Sequence, residues 1–179
     1  DVYKRQAGIR CIPVPGACAA IAALSVAGLP SDRFVFEGFL PPKSAARRSR
    51  LQELKGEART LIFYESSHRV AESLADLREV FGAEREAVLA RELTKLFETV
   101  LGEPLGALAE RVANDPDQQR GECVILVAGR GEDVDDRLAE GQRVFAILRE
   151  ELPPAKAAKL AAAISGAPRR ALYGGEKGE

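Results

Sequence analysis

Two short apolar runs, residues 60–64 (Thr-Leu-Ile-Phe-Tyr) and 123–128 (Cys-Val-Ile-Leu-Val-Ala), constrain this chain most. A strand with one wet face alternates polar and apolar side chains; neither run does, so each reads as a strand buried on both faces. Such strands need helices to cover them. One is plain between them: Val70, Leu74, Leu77 and Phe81 recur at helical spacing, and Gly82 closes the pattern. Residues 87–90 read as a further strand with 97–101 as a candidate partner, and residues 105–112 as a helix. Upstream, residues 34–39 read as a strand ahead of Pro41-Pro42, followed by a helix over about 44–54. Strands alternating with helices predict an α/β domain with a mixed sheet and flanking helices.

The ends read differently. Residues 1–6 join abruptly onto Ala7-Gly8-Ile9 without the form of a signal peptide, and are taken as a cloning or sequencing scar. Residues 9–14 predict a short strand ending at the turn Pro15-Gly16, and an Ala-rich helix follows over 17–27. After Gly131 no strand-like run remains. Val134, Leu138, Phe145 and Leu148 mark one helix, Pro153-Pro154 opens a second that ends at Ser165-Gly166, and Pro168 starts a third carrying Leu172 and Tyr173. Residues 131–179 are therefore expected to form a small helical appendix resembling a helix-turn-helix.

With 179 residues, 46% of them apolar, the chain can bury one ordinary core, which excludes a disordered or fibrous polypeptide. Lys and Arg total 26 against 27 Asp and Glu, so any attraction to a polyanion must be local. Nothing approaches the roughly 18 to 20 apolar residues of a membrane span. Cys11, Cys18 and Cys123 fit neither a disulfide framework nor a zinc knuckle, and His68 is the only histidine. A reducing cytoplasm without a structural metal is expected. Methionine is absent, so the chain reads as processed or cut.

Five segments could carry chemistry. The turn Pro15-Gly16-Ala17-Cys18-Ala19-Ala20 leads into a helix, where small side chains and free N–H groups admit a ligand; a tight turn with a close-packed helix explains it too. Glu65-Ser66-Ser67-His68-Arg69 follows the buried strand, where ligand crevices of α/β sheets open, or else it is a Ser-capped first turn with exposed charges. Arg91-Glu92-Leu93-Thr94-Lys95 with Glu98 puts charge where a hairpin commonly has Gly or Asn; its plain alternative is a surface salt-bridge turn. Lys43, Arg47, Arg48 and Arg50 form a basic patch that suits a phosphate backbone or a solvated helix face, and Lys156, Lys159, Arg169 and Arg170 form another in the tail.

Together the blocks Val14-Pro15-Gly16, Gly28-Leu29-Pro30, Phe36-Glu37-Gly38-Phe39-Leu40-Pro41, Arg59 to Ser66 with His68-Arg69, Ala90 to Lys95 with Glu98, and Gly121-Glu122 resemble one family. It is the tetrapyrrole-methylase-fold methyltransferases, and within them the ribosomal RNA small subunit methyltransferase I group. The resemblance runs from about residue 7 to 130, and the tail is similar to that group's C-terminal appendix. It implies that residues 7–31 are the last strand and exit helix of a truncated first domain and that 32–130 are a second methylase domain. Where the group usually has Pro, this chain has Ser67.

The implied activity is 2′-O-ribose methylation of a cytidine in small-subunit ribosomal RNA by S-adenosylmethionine, in a homodimer. The resemblance implies cofactor contacts at Gly16, Cys18, Ala19, Glu65 and Leu93. Glu65, His68 and Glu98 are the candidate proton acceptors, and Lys43, Arg47, Arg48, Arg69, Arg91 and Lys95 the candidate contacts to RNA phosphates. A chain lacking the first domain is expected to bind the cofactor weakly and to be inactive alone. Two rival readings stand beside this one: a tetrapyrrole-precursor or diphthamide-pathway methylase of the same fold, and a non-catalytic nucleic-acid-binding module.

Overall fold

The computed structural model describes residues 2–131 and 134–172, and the chain divides into two compact units, Asp1–Gly129 and Arg130–Glu179. In the first unit the elements run α1 (Val2–Gln6), α2 (Ala19–Val26), β1 (Phe34–Phe39), α3 (Ser44–Leu54), β2 (Thr60–Ser66), α4 (Val70–Phe81), β3 (Glu86–Arg91), β4 (Thr99–Pro104), α5 (Leu105–Asn114) and β5 (Glu122–Val127). The five strands form one sheet in the order β1-β2-β5-β3-β4. Only β1 and β2 are parallel; β5 lies antiparallel between β2 and β3, and β3-β4 is a hairpin. The two apolar runs thus become adjacent central strands, Leu61 facing Val127 and Tyr64 facing Val124.

Both faces of the sheet are covered, as unbroken apolar runs require. On one side Leu61, Phe63, Leu89, Ile125 and Val127 pack against α3, α4 and α5 through Leu51, Leu74, Leu77, Leu105 and Leu108. On the other, Ile62, Val88, Ala90, Val124 and Leu126 pack against Ala20, Ala23 and Leu24 of α2. Alanines at that contact let the short helix lie close to the sheet. In β1 the register shifts between Phe36 and Gly38, and Gly38, at φ 69°, supplies the left-handed residue of the irregularity.

The strand expected at 9–14 is absent. Residues 7–18 hold no helix or strand, and Ile9, Ile12 and Val14 are exposed. A strand is held by its ladder to a neighbour, and no described strand pairs with this segment. The candidate partner at 97–101 begins two residues later, because 92–98 are used up in the connection to β3.

The second unit holds α6 (Val134–Arg149), α7 (Pro154–Ser165) and α8 (Arg169–Leu172). Its core is Val144, Ala161, Ala167 and Leu172, with Leu138, Phe145 and Leu148 packed on it. A Cβ at Gly141 would crowd Ala167, Ser165 and Leu172, so glycine sets how closely α6 meets the turn after α7. Tyr173, expected on the third helix, lies outside the described residues, as do Asp1 and the rest of 173–179. No described helix is long and apolar enough to cross a membrane.

Candidate functional site

The carboxyl ends of β2 and β3 and the start of β5 surround a cavity of about 490 Å³. Ala19 at the start of α2 closes one side, and Tyr64, Ala90, Leu93 and Val124 form an apolar wall. Ser66, Ser67 and His68 supply its polar edge, with Gly121, Glu122 and Cys123 beside them. The side-chain alternation of β2 explains the arrangement: Tyr64 points to the α2 face, where its hydroxyl accepts a hydrogen bond from the Ala20 N–H at 3.1 Å. Phe36 and Phe39 stand edge-on to the same ring, with centroids 4.8 and 5.9 Å away.

Glu65 points to the opposite face and is 3% exposed. Its Oε1 lies 2.7 Å from Arg69 Nη2 and accepts the Ser66 N–H at 2.7 Å, while Oε2 accepts from Ser73 Oγ at 2.7 Å. A buried carboxylate requires such partners, and this one is saturated with them. Its role is to tie the 66–69 turn to α4. Neither Ser66 nor Ser67 caps that helix; Arg69 occupies the N-cap position without a side-chain cap. His68, carried on the turn, is exposed at the cavity edge and makes no hydrogen bond among the described residues.

The remaining candidates separate. Ala19, Glu65 and Leu93 line the cavity; Gly16 and Cys18 are exposed and do not. The Cys18 thiol is nevertheless held below its ordinary pKa by the backbone N–H groups of Ile21 and then Ala20. Cys123, within the cavity wall, is pushed up to about 11 by burial. Glu98 lies outside the cavity, where its carboxylate accepts the Thr94 N–H at 2.6 Å.

The basic patch is largely neutralised. Arg47 is 1% exposed, its Nε 2.5 Å from Asp76, and Arg48 bonds the other oxygen of Asp76 and Glu79. Arg50 bonds Glu37 and Glu53. Arg91 is buried and donates to Thr99 Oγ1, and Lys95 bridges Glu92 and Glu122. Neither Arg47 nor Arg91 is available to a phosphate, because the fold places acids or acceptors against each. Lys43 is exposed, and Arg69 is half-buried beside Glu65.

Tyr64 and Phe39 also line the cavity, and local sequence does not mark them as site residues. The alternation of faces along β2 is the signal for Tyr64, once the sheet's neighbours are known.

Residues 2–109 match the family model of tetrapyrrole (corrin/porphyrin) methylases, and residues 135–174 match the RsmI C-terminal HTH domain. Curated relatives named ribosomal RNA small subunit methyltransferase I are 62% identical over 96% of the chain in Xylella fastidiosa and in Pseudomonas aeruginosa, and 53% identical over 94% in Escherichia coli O157:H7. The chain spans 63%, 62% and 59% of those relatives' lengths. Among solved structures, the cobalamin biosynthetic enzyme cobalt precorrin-4 methyltransferase CbiF superposes with a TM-score of 0.53 at 15% identity, covering 71% of this chain and 55% of that one. The methyltransferase CobJ does so at 0.51 and 23%, covering 72% and 54%. At these identities the likeness is one of fold.

Proposed function

The chain belongs to the tetrapyrrole methylase family, and from that premise we propose that the whole protein transfers a methyl group from S-adenosylmethionine to the 2′-oxygen of a cytidine ribose in small-subunit ribosomal RNA. The observation that carries the reading is the cavity, where an apolar wall meets the start of β5 and a polar edge bearing His68. Its volume of about 490 Å³ falls within the roughly 300–1,000 Å³ of small-molecule pockets. Small side chains at Ala19 and Ala90 leave room against the main chain, and Leu93 offers an apolar surface, so the residues present fit a nucleoside-bearing cofactor. When bound, S-adenosylmethionine supplies a methyl group made electrophilic by its sulfonium.

The rest falls to the protein. In-line displacement rewards orientation, and a cavity at the end of a rigid sheet holds reactants in place. His68 accepts the proton of the ribose hydroxyl, because its ring alone among the three candidate acceptors is uncommitted. Glu65 acts as a positioning residue by fixing the turn that carries His68. Lys43, exposed, meets RNA phosphate. In the second unit Lys156, Lys159 and Arg170, all exposed, supply further phosphate contacts. The relatives' names support ribosomal RNA as acceptor. A cytoplasmic homodimer is part of the same proposal, with sedimentation as its check.

The test uses the protein at the full length of its relatives, with labelled S-adenosylmethionine and unmodified small ribosomal subunits or a tetrapyrrole acceptor. Label in ribose of the ribosomal RNA is expected. Transfer to the macrocycle alone overturns the reading in favour of the other acceptor class, and binding of RNA without cofactor affinity overturns it in favour of a non-catalytic module.

A further inference from the structure

The connection between β3 and β4 contains two non-glycine residues with left-handed backbone, Glu92 at φ 52° and Thr94 at φ 63°. Residues with a Cβ disfavour this region, and the conformation persists only where neighbouring structure over-determines it. Here the source of that restraint is visible. The Glu92 N–H donates to the Glu122 carbonyl at 2.9 Å, and Glu92 Oε1 accepts the Glu122 N–H at 2.9 Å and Lys95 Nζ at 2.9 Å. Lys95 Nζ reaches on to Glu122 Oε2 at 2.8 Å, and Glu98 secures the Thr94 N–H. Lys95, then the Glu122 N–H, hold the Glu92 carboxyl below its ordinary pKa.

Gly121 is the necessary counterpart. It sits at φ 79°, and a Cβ there would overlap the Glu92 carboxylate. Only glycine leaves room for that carboxylate against the start of β5. The consequence reaches the cavity, because Leu93 lies between the two left-handed residues and lines its wall, packed with the apolar cluster beneath α2. Gly121, Glu122 and Cys123 line the wall on the β5 side. Glu92 itself is not in the lining; it ties together the two segments that are.

We propose that Glu92 is a positioning residue for the methyl donor: by stapling the 92–98 loop to the start of β5 it builds the wall formed by Leu93 and Gly121–Cys123. The proposal rests on the reading that this cavity binds S-adenosylmethionine. Without the staple the left-handed residues relax, Leu93 leaves the wall, and donor binding weakens while the His68 edge, held separately by Glu65, is undisturbed.

The experiment is calorimetric titration with S-adenosylhomocysteine, together with steady-state methyl transfer, on the protein at its relatives' full length. Glu92→Ala is expected to raise the Kd and the KM for the donor tenfold or more, with kcat and the KM for RNA within threefold. Glu92→Gln keeps an oxygen for the Glu122 N–H, so it is expected to restore most of the affinity, and Lys95→Ala to give an intermediate loss. If the Ala variant fails to fold, Lys95→Ala carries the same test. Unchanged donor affinity in Glu92→Ala, or in Lys95→Ala where the former does not fold, while the parent binds overturns this proposal alone. A parent that does not bind S-adenosylhomocysteine overturns the reading beneath it, and this proposal with it.

Discussion

Replacing Asp76 with Asn tests whether the arginines of α3 belong to the core or to a binding surface. Arg47 is 1% exposed, and Asp76 Oδ2, 2.5 Å from its Nε, is its closest charge partner. Removing one member of a buried pair strands the other charge, at a cost of about 3–5 kcal/mol. Arg47 would keep the Pro42 carbonyl at 3.3 Å and the exposed Glu72 at 3.5 Å, which favours the lower end. Arg48 is half in solvent, so its lost contact adds little. The expected loss is therefore about 3 kcal/mol, or roughly 6–12 °C in Tm at the 2–4 °C per kcal/mol of a chain of this size. Urea and thermal unfolding measure it. Removing both charges, with Arg47→Met and Asp76→Leu, should cost much less than the sum of the single changes.

The same pair predicts a pH dependence. Burial raises the Asp76 carboxyl, but hydrogen bonds from Arg48 and Arg47 outweigh it and the net shift is downward. A depressed carboxylate stabilises the fold above its unfolded pKa of about 3.9, and that contribution is lost as pH falls through the folded value. In Asp76→Asn the acid side of the stability profile should flatten. A loss under about 1 kcal/mol in Asp76→Asn, or a double variant no better than additive, would mean that Arg47 and Asp76 are not a buried pair and would return Arg47 to the surface.

Four further outcomes are expected. In the full-length protein, His68→Ala should lower kcat at least tenfold with donor affinity within threefold. Glu65→Gln should lower kcat and also loosen the turn, seen as faster amide exchange over 66–69; if both variants keep turnover within threefold, less than about 1 kcal/mol of barrier, the catalytic assignment is dropped. Alkylation at pH 8 should modify Cys18 well before Cys123, since the helix N-terminus lowers the first thiol and burial raises the second to about 11; equal rates by mass spectrometry would contradict the burial of Cys123. Alanine at Lys156, Lys159 or Arg170 should weaken RNA binding uniformly across sequences and reduce the salt slope by about one per cation. An unchanged slope would remove the second unit from the interface.

Much of the fold was legible because the signals were local. Val70, Leu74, Leu77 and Phe81 form the buried stripe of α4, and Gly82 ends it. The runs at 60–64 and 123–128 are central strands, as their lack of alternation required. The strand expected at 9–14 was not legible, since strand formation depends on a neighbour that local residues do not specify. Of the site, the segment 65–69 and Leu93 were visible by their place after apolar strands, whereas Tyr64 and Gly121 stood out only as parts of resembling blocks, without a place in the site.

Order along the chain, periodicity and turn chemistry are properties of the sequence, and they were enough to determine the α/β class, the elements around the site and the family resemblance. What a charged side chain does is settled elsewhere. Arg47, Arg48 and Arg50 look like a phosphate-binding stripe until α4 lays Asp76 and Glu79 beside two of them and β1 and α3 put Glu37 and Glu53 beside the third. Glu65 looks like a base until Arg69 and Ser73 claim it. Charge is local, but desolvation and pairing depend on the fold: Asp76 is brought to Arg47 from 29 residues away, and even the near neighbours Arg69 and Ser73 meet Glu65 only once the turn and α4 have formed.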